Sequence, residues 1–282
     1  MGGKTVLITG GTSGVGLALA RMLLEQGHLV TIVGRPGANG ERAQKELAQA
    51  VPAGKLEFLP ADLGLRQEVE RVAREFRSRH DRLDILVHNA GVIMPRRVLT
   101  QEGQETTLAV NFLAPFLLTH LLEDRLRASA PARIVVTASA AHRTGPIDFN
   151  DLSMERHYRG FAMYSRSKLM DILFTYALAR RLEGSGVTVN CFHPGVVRSG
   201  LYREGGAMRL FFAIGRFFMI SPEKGADTAI YLCTDPAVSG VSGKYFARRA
   251  PAESSAQSHD VPLQERLWTT AETLTGLRPT QP

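Results

Sequence analysis

Cysteine is scarce in this chain of 282 residues, which contains only Cys191 and Cys233. Two cysteines in apolar segments exclude a disulfide framework as the basis of the fold and favour a reducing compartment. We expect both thiols to be buried. The eight histidines show no metal-ligand spacing, so the sequence predicts no metal site.

Long hydrophobic runs are also missing. The most apolar stretch, Leu210 to Ile220, contains Arg216 and is too short to span a bilayer. Near Met1 a strand pattern begins almost at once, which leaves no room for a signal peptide. The sequence therefore predicts a cytoplasmic protein without a transmembrane helix, with peripheral membrane contact as an alternative considered below.

Negative charge is in deficit, because the formal net charge is +7. Such a surface attracts anions, which include nucleic acid, anionic lipid and phosphorylated cofactors. The sequence has no zinc-finger, RNA-binding or helix-turn-helix pattern, so we expect no nucleic-acid partner. The shares of hydrophobic and charged residues, 44% and 22%, are typical of a globular protein with a substantial core.

Apolar runs of strand length alternate with longer helical patterns as far as residue 246. The predicted strands are Thr5 to Thr9, Leu29 to Gly34, Leu56 to Pro60, Ile85 to His88, Arg133 to Ala138, Val187 to Phe192 and Gly243 to Phe246. The predicted helices are Gly14 to Gln26, Gly40 to Ala50, Gln67 to His80, Glu102 to Ala128, Gly160 to Glu183 and Pro222 to Thr234. This alternation predicts an α/β fold, a single-domain Rossmann-type doubly wound parallel sheet of about seven strands with helices on both faces.

The composition changes after residue 246. From Ala247 to Asp260 the chain is rich in Ala, Ser, Pro and Arg, which predicts a flexible surface excursion. A short amphipathic helix is expected from Val261 to Leu274. We therefore predict one catalytic domain over 1–246, with 247–282 packed on the same domain or helping to pair subunits in a homo-oligomer.

Glycines follow the first predicted strand at Gly10, Gly14 and Gly16. A turn without side chains lets the amide groups of the next helix face an anion, as a phosphate-binding turn requires. The spacing is G-x-x-x-G-x-G and not the G-x-G-x-x-G usually quoted. A tight turn that binds nothing would also use glycine, so this motif alone leaves both interpretations open.

The second predicted strand ends at Gly34, and Arg35 follows it. A carboxylate at this point would hold the ribose of NAD, whereas an arginine matches the 2′-phosphate of NADP. The alternative is a solvated loop arginine. After the third strand, Asp62 is a candidate acceptor for the adenine amino group, or a cap of the following helix.

Tyr164 and Lys168 lie four residues apart in a predicted helix, and Ser139 ends an apolar run upstream. Positions i and i+4 share one helical face. A free tyrosine has a pKa of about 10, and a neighbouring ammonium favours the phenolate form. The pair therefore predicts a general acid and base, the alternative being a half-exposed helical face without chemistry.

With these motifs in order, the chain resembles the short-chain dehydrogenase/reductase family over about residues 3 to 246. The matching elements are the TGxxxGxG turn at Thr9 to Gly16, the NNAG segment at His88 to Gly91, the mid-helix Asn111, Ser139, and YxxxK at Tyr164 to Lys168. Within the family it is most similar to the retinol-dehydrogenase-like branch. That likeness rests on Val110 to Phe116, His193 to Arg198, Arg266 to Trp268 and the separation of 25 positions between Ser139 and Tyr164.

The resemblance implies an NADP(H)-dependent oxidoreductase with four catalytic residues. Tyr164 would exchange a proton with the substrate oxygen, and Ser139 would hydrogen-bond that oxygen. Lys168 would assist Tyr164 and bind the nicotinamide ribose, while Asn111 would hold a water that links Lys168 to solvent. The implied cofactor contacts are Gly10, Thr12, Ser13, Gly14, Val15, Gly16, Arg35, Asp62, Leu63, Asn89, Ala90, Gly91, Tyr164, Lys168, Pro194, Gly195, Val196 and Ser199.

Two residues depart from the family pattern. His88 stands where the first Asn of the NNAG segment is usual, and Ser199 stands where Thr is common. Ser199 keeps the hydroxyl group near the phosphates. His88 leaves one hydrogen bond at the strand end undetermined.

The segment from about 199 to 221 is predicted to cover the substrate. It is rich in Leu, Met and Phe and carries three arginines, which predicts a bulky, apolar alcohol, aldehyde or ketone as the substrate. Residues 208–220 could instead form a basic amphipathic helix on a membrane surface, or simply pack in the core. The sequence favours none of these decisively.

Three other functions would use the same motifs. They are a biosynthetic ketoreductase of polyketide- or steroid-like ketones, a light-dependent tetrapyrrole reductase, and a non-catalytic NADP(H) sensor. A sensor is expected to have a broken catalytic set, whereas all four implied catalytic residues are present here. A substrate screen and a light requirement would distinguish the two enzymes.

Overall fold

The computed structural model describes residues 3–197 and 219–277. Among these residues, eight strands form one sheet in the order β3-β2-β1-β4-β5-β6-β7-β8. The strands are β1 (Thr5–Thr9), β2 (Leu29–Gly34), β3 (Lys55–Pro60), β4 (Ile85–His88), β5 (Ala132–Thr137), β6 (Val187–His193), β7 (Lys244–Ala247) and β8 (Ala250–Pro251). The first seven run parallel, and β8 pairs antiparallel with β7.

Helices connect the parallel strands. They are α1 (Gly14–Glu25), α2 (Ala38–Ala50), α3 (Arg66–Arg79), α4 (Thr106–Leu108), α5 (Ala114–Ala128), α6 (Gly160–Arg181), α7 (Pro222–Thr234) and α8 (Val261–Thr275). A π-helical turn, Ala109–Leu113, joins α4 to α5, and a short 3-10 helix, Ala140–Thr144, follows β5. The predicted doubly wound α/β fold is confirmed.

One helix start and one short strand differ most from the sequence prediction, each for a physical reason. The helix expected from Glu102 begins at Thr106, because Gly103 has a φ of +79° and the carboxylate of Glu105 caps the amide groups of Thr107 and Leu108. The short strand β8 was not predicted. Its turn uses Arg248 and Arg249 at φ values of 52° and 60°, where a sequence search looks for glycine or asparagine.

The core lies on both faces of the sheet, because neighbouring strand residues point to opposite sides. Leu7 belongs to the cluster under α3, α5, α6 and α8, whereas Ile8 belongs to the cluster under α1 and α7. Both cysteines are buried and free of disulfides, as predicted.

Among the described residues, one helical stretch has the length and composition of a membrane span. Thr106–Ala128 reaches a mean hydropathy of 1.2, and 78% of the relevant window is buried inside the fold. The same apolar side chains form the face that packs against the sheet and α6. This composition therefore reflects the position of the helix in the core.

The segment after β8 is tied to the body by hydrogen bonds, although its composition suggests flexibility. The buried Ser254 hydroxyl bonds Tyr176, Ser258 and His259. In α8, the Trp268 ring packs edge-on against Phe116, with ring centres 5.0 Å apart. The hydrogen bonds of Ser254 and Ser258 satisfy hydroxyl groups that the composition alone would place in solvent.

Candidate active site

The carboxyl ends of the central strands bring the predicted site residues to one edge of the sheet. Thr9 pairs in register with His88, and Thr137 pairs with Phe192. Each of these strands is followed by a turn that carries a family motif. In an open parallel sheet this edge is where ligands bind.

The glycine turn leaves room for an anion at the start of α1. Gly10 and Gly14 have φ values of 69° and 54°, which side chains rarely adopt. A Cβ at Gly16 would lie 2.3 Å from the Gly10 carbonyl oxygen. Ser13, at the N-cap of α1, is exposed and makes no side-chain capping bond, so its hydroxyl and the amide groups of the first turn fit a phosphate group.

A second turn is bonded to the glycine turn. The Thr9 hydroxyl accepts hydrogen bonds from the amides of Asn89 and Ala90, at 3.1 and 3.2 Å. The Asn89 side-chain amide donates to the Gly10 carbonyl at 3.1 Å. A Cβ at Gly10 would lie 2.7 Å from the Cα of Ala90. The two turns therefore hold each other in place at a backbone separation that only glycine allows.

His88 points away from this edge. Its Nε2 lies 2.8 Å from the Thr119 hydroxyl, and its Nδ1 has no hydrogen-bond partner in the part of the chain that the structure describes. Burial lowers the pKa of His88 to about 3, so the ring is neutral at physiological pH. The bond that the sequence left undetermined is thus a core contact to α5.

Arg35 and Asp62 follow β2 and β3. Arg35 is exposed, and a Cβ at the preceding Gly34 would lie 2.5 Å from the Thr12 methyl group, so Arg35 adjoins the glycine turn. The Asp62 carboxylate accepts the amide of Gly64 at 2.9 Å. Asp62 therefore stabilises a turn and does not cap α3.

Glu102, which the sequence did not single out, takes the capping role at α3. Its carboxylate accepts the amides of Arg66 and Gln67 at 2.6 and 3.3 Å. Two unsatisfied N–H groups at a helix start attract a carboxylate. The partner is 36 positions away in the chain, so no local pattern indicates it.

Tyr164 and Lys168 lie together in α6, as their spacing predicts. The Lys168 Nζ is 5.7 Å from the centre of the Tyr164 ring, and Tyr164 is 7% exposed. The ammonium donates to the Thr137 carbonyl oxygen and to Asp171 Oδ2, both at 2.8 Å. Lys168 is thereby fixed between α6 and the carboxyl end of β5.

The charges of Lys168 and Asp171 depend on each other. Burial disfavours the ammonium, but the attraction of Asp171, and then of Tyr164, outweighs it and raises the pKa of Lys168 above its ordinary value. Burial also raises the pKa of Asp171 to about 6, although Lys168 opposes that shift. At neutral pH the site therefore holds a buried ion pair.

Ser139 lies at the end of β5 and begins the 3-10 helix. Its hydroxyl oxygen accepts the amide of Ala141 at 3.2 Å, and its carbonyl oxygen accepts from the ring of His142 at 2.6 Å. Among the described residues the Ser139 hydroxyl hydrogen has no acceptor. It is therefore available to donate to an oxygen in the cleft.

Asn111 lies in the π-helical turn. Its side chain bonds both the amide and the carbonyl of Val92, at 2.8 and 3.1 Å, and donates to the Ser167 hydroxyl at 2.9 Å. A Cβ at Gly91 would lie 3.6 Å from Asn111 Oδ1 and 3.9 Å from Lys168 Nζ. Asn111 therefore joins the turn after β4 to the helix that carries Tyr164 and Lys168, at a π-helical turn of the kind found at functional sites.

An aromatic residue and a long loop flank Tyr164 and Lys168. The Phe161 side chain is 49% exposed, and its ring lies 6.3 Å from that of Tyr164. Arg166, inside the YxxxK motif, is buried and donates to the carbonyls of Pro146, Asp151 and Leu152 at 2.5–3.0 Å. This arginine therefore fixes the loop that separates Ser139 from Tyr164.

The turn after β6 is described only in part. Gly195 has a φ of 88°, and Val196 is 55% exposed. Val197 forms a bridge with Ile220. Ser199 and nearly all of the predicted lid lie outside the described residues.

The chain is similar in sequence to known proteins over most of its length. The family model for short chain dehydrogenases matches residues 4–209. The chain belongs to the short-chain dehydrogenase/reductase family. It is 41% identical to human retinol dehydrogenase 14, over 98% of this chain and 88% of that protein, which makes it a retinol-dehydrogenase-like oxidoreductase of this family.

Solved structures of the family agree in fold. An uncharacterised protein from Mycobacterium paratuberculosis superposes with a TM-score of 0.77 at 28% identity, over 98% of this chain and 94% of that one. An NAD(P)-dependent gluconate 5-dehydrogenase from Beutenbergia cavernae, with bound NADP at low occupancy, gives 0.71 at 27%, covering 88% and 95% of the two chains. The fold is thus one that binds a nicotinamide cofactor.

The predicted site residues converge, apart from those the structure does not describe. At the sheet edge lie Gly10, Thr12, Ser13, Gly14, Val15, Gly16, Arg35, Asp62, Leu63, Asn89, Ala90, Gly91, Asn111, Ser139, Tyr164, Lys168, Pro194, Gly195 and Val196. Sequence reasoning missed Arg166 and Asp171. Asp171 is a lone charge in the apolar run 169–174, and that isolation is the signal that would have indicated it. Arg166 lies between two serines, and no local pattern indicates it.

Proposed function

We propose that the chain is an NADP(H)-dependent oxidoreductase that interconverts a bulky apolar alcohol and its aldehyde or ketone. The observation that carries the proposal is the buried ammonium of Lys168 beside the phenol of Tyr164, at the carboxyl end of β5. Such a pair suits proton transfer, and the glycine turn of α1 fits the phosphates of a dinucleotide. When bound, the cofactor supplies or accepts the hydride.

The side chains of the chain handle the oxygen of the substrate. In reduction Tyr164 would donate its phenolic proton to the carbonyl oxygen, and in oxidation it would accept the alcohol proton. Ser139 would donate a second hydrogen bond to the same oxygen, using the hydroxyl hydrogen that has no acceptor among the described residues. Lys168 would keep a positive charge beside the phenol during this transfer.

The preference for NADP(H) over NAD(H) is part of the proposal. Arg35 is exposed beside the glycine turn, and it has no hydrogen-bond or ion-pair partner among the described residues. A guanidinium in that position suits a 2′-phosphate. Bound NADP in the similar dehydrogenase from B. cavernae supports this choice.

The proposed substrate is apolar because exposed apolar side chains lie beside Tyr164 and after β6. Phe161, whose ring is 6.3 Å from that of Tyr164, and Val196, in the turn after β6, are both about half exposed. The similarity to a retinol dehydrogenase supports a long hydrophobic alcohol or aldehyde. We further propose that residues 199–221 cover it, and that 247–277 belong to the same unit.

The test is NADPH oxidation with a panel of carbonyl compounds, from long-chain and isoprenoid aldehydes to small polar ketones. We expect turnover on the apolar members, and Tyr164→Phe should abolish it while NADPH affinity, measured by fluorescence, changes little. Tyr176→Phe, three turns along the same helix, is the matched control and should retain turnover. NADPH binding without turnover on any compound would favour a sensor, and an active Tyr164→Phe variant would disprove the role of Tyr164.

A further inference from the structure

Asp171 is a carboxylate buried in the core beside the catalytic lysine. It is 1% exposed. Its Oδ2 accepts from Lys168 at 2.8 Å, and its Oδ1 has no hydrogen-bond partner among the described residues. A buried carboxylate with one unpaired oxygen destabilises a fold, because that oxygen has lost its hydrogen bonds to water. Packing alone therefore does not explain why Asp171 is present.

The ammonium of Lys168 has three N–H donors. One is used by the Thr137 carbonyl and one by Asp171, which leaves a single donor for a ligand in the cleft. The negative charge of Asp171 also offsets the positive charge that acts on the phenol of Tyr164. Both effects act through Lys168 and not through any contact with the reacting atoms.

We propose that Asp171 is a positioning residue that fixes Lys168 and partly neutralises the positive charge that this lysine brings to Tyr164. This inference rests on the proposed function. It concerns the pH dependence of the reaction, which the pair of Tyr164 and Lys168 does not determine alone.

Few other charges face this ion pair. In the part of the chain that the structure describes, Tyr164 and Cys191 are the other titratable groups that act on Lys168, and burial raises the pKa of the Cys191 thiol, which keeps it neutral. His142, on the 3-10 helix, has its pKa lowered by burial and bonds Ser139. Asp171 therefore supplies the dominant negative charge at Lys168.

The effect of Asp171 is measured by the pH profile of alcohol oxidation, since oxidation needs the deprotonated phenol. In Asp171→Asn the ammonium keeps an acceptor but loses its counter-charge. Over the pH range in which Lys168 stays protonated, its undiminished charge should move the midpoint of the profile to lower pH by on the order of one unit. Asp84→Asn is the matched control. Asp84 is also buried and paired, with Arg82, but lies at the opposite edge of the sheet, and the midpoint should not change there.

A second measurement does not depend on activity. Burial raises the pKa of Asp171 to about 6 from an ordinary 3.8. Between these two pH values the folded protein therefore retains a proton on Asp171, whereas the unfolded chain has released it. The wild type should therefore lose stability relative to Asp171→Asn as pH rises from about 4 to 6. Thermal unfolding of both proteins across this range gives the difference in Tm.

The two measurements separate the possible failures. If the wild type turns over no carbonyl compound, the proposed function fails, and the stability measurement still decides whether Asp171 is a strained buried carboxylate. An unchanged oxidation midpoint in an active Asp171→Asn, or a stability difference independent of pH, would overturn the inference. Should Asp171→Asn not fold, Asp171→Ala removes the same charge and carries the same expectations.

Discussion

The two ends of the cleft are built in different ways. At the glycine turn of α1 the site consists of backbone, and its character comes from side chains that are absent at Gly10, Gly14 and Gly16. At the start of α6 it consists of buried side chains, of which Arg166 and Lys168 are bonded to other parts of the chain. The first end should be sensitive to added atoms, and the second to altered charge.

The largest effect is expected from a single added methyl group at the glycine turn. In Gly16→Ala the new Cβ would lie 2.3 Å from the Gly10 carbonyl oxygen and 2.4 Å from Asn89 Nδ2, so both turns must shift. Such overpacking costs about 1–3 kcal/mol, which corresponds to a loss of about ten- to hundredfold in NADPH affinity. Fluorescence titration with NADPH measures it.

Gly27→Ala is the matched control at the other end of α1. Gly27 has a φ of 79°, and nothing lies within 4 Å of its added Cβ. This change should lower Tm because the left-handed conformation is strained, but leave NADPH affinity unchanged. Equal affinities of Gly16→Ala and the wild type would show that the close approach of the two turns does not shape the cofactor site.

The glycine-turn end could be predicted from the sequence because its constraints are local. Strand bounds agree within one residue, and the turn residues of Gly10 to Gly16 follow β1 as expected. The catalytic pair was equally visible, since four positions make one helical turn. These features depend on neighbours in the chain, which a pattern can show.

The missed residues depend on partners far away in the sequence. Glu102 caps α3, and Arg166 bonds carbonyls 14–20 positions upstream. Asp171 is closer to Lys168, but only burial makes it important, because a solvated carboxylate three residues from a lysine is an ordinary surface pair. The depth of a helix face in the core is set by tertiary packing and does not follow from charge spacing.

A smaller effect is expected at Arg35, because this guanidinium is exposed and water screens its charge. Arg35→Asp should shift the ratio of kcat/KM values for NADPH and NADH toward NADH by about tenfold, through loss of a charge-assisted contact and repulsion of the 2′-phosphate. Steady-state kinetics with both cofactors measure the ratio. Arg42→Asp, an exposed arginine within α2, changes the net charge equally and should leave it unaltered; an unaltered ratio in Arg35→Asp would refute the phosphate assignment.

The smallest effect separates the two ends most sharply. Arg166→Met keeps an unbranched stem of similar bulk but removes the guanidinium donors that hold the carbonyls of Pro146, Asp151 and Leu152. The loop between Ser139 and the catalytic helix should loosen, so KM for an apolar carbonyl compound should rise severalfold. NADPH affinity should not change, because the hydrogen bonds between Arg166 and this loop do not involve the glycine turn.

Arg156→Met, an exposed arginine of the same loop, is the control for loss of a positive charge and should resemble the wild type. The informative quantity is the KM for the carbonyl compound set against the dissociation constant of NADPH in the same variant. If both worsen together in Arg166→Met, the loop and the cofactor end respond as one unit. The division between a backbone-built end and a side-chain-built end would then be wrong, because a charge removed from α6 would have changed a site made of backbone amides.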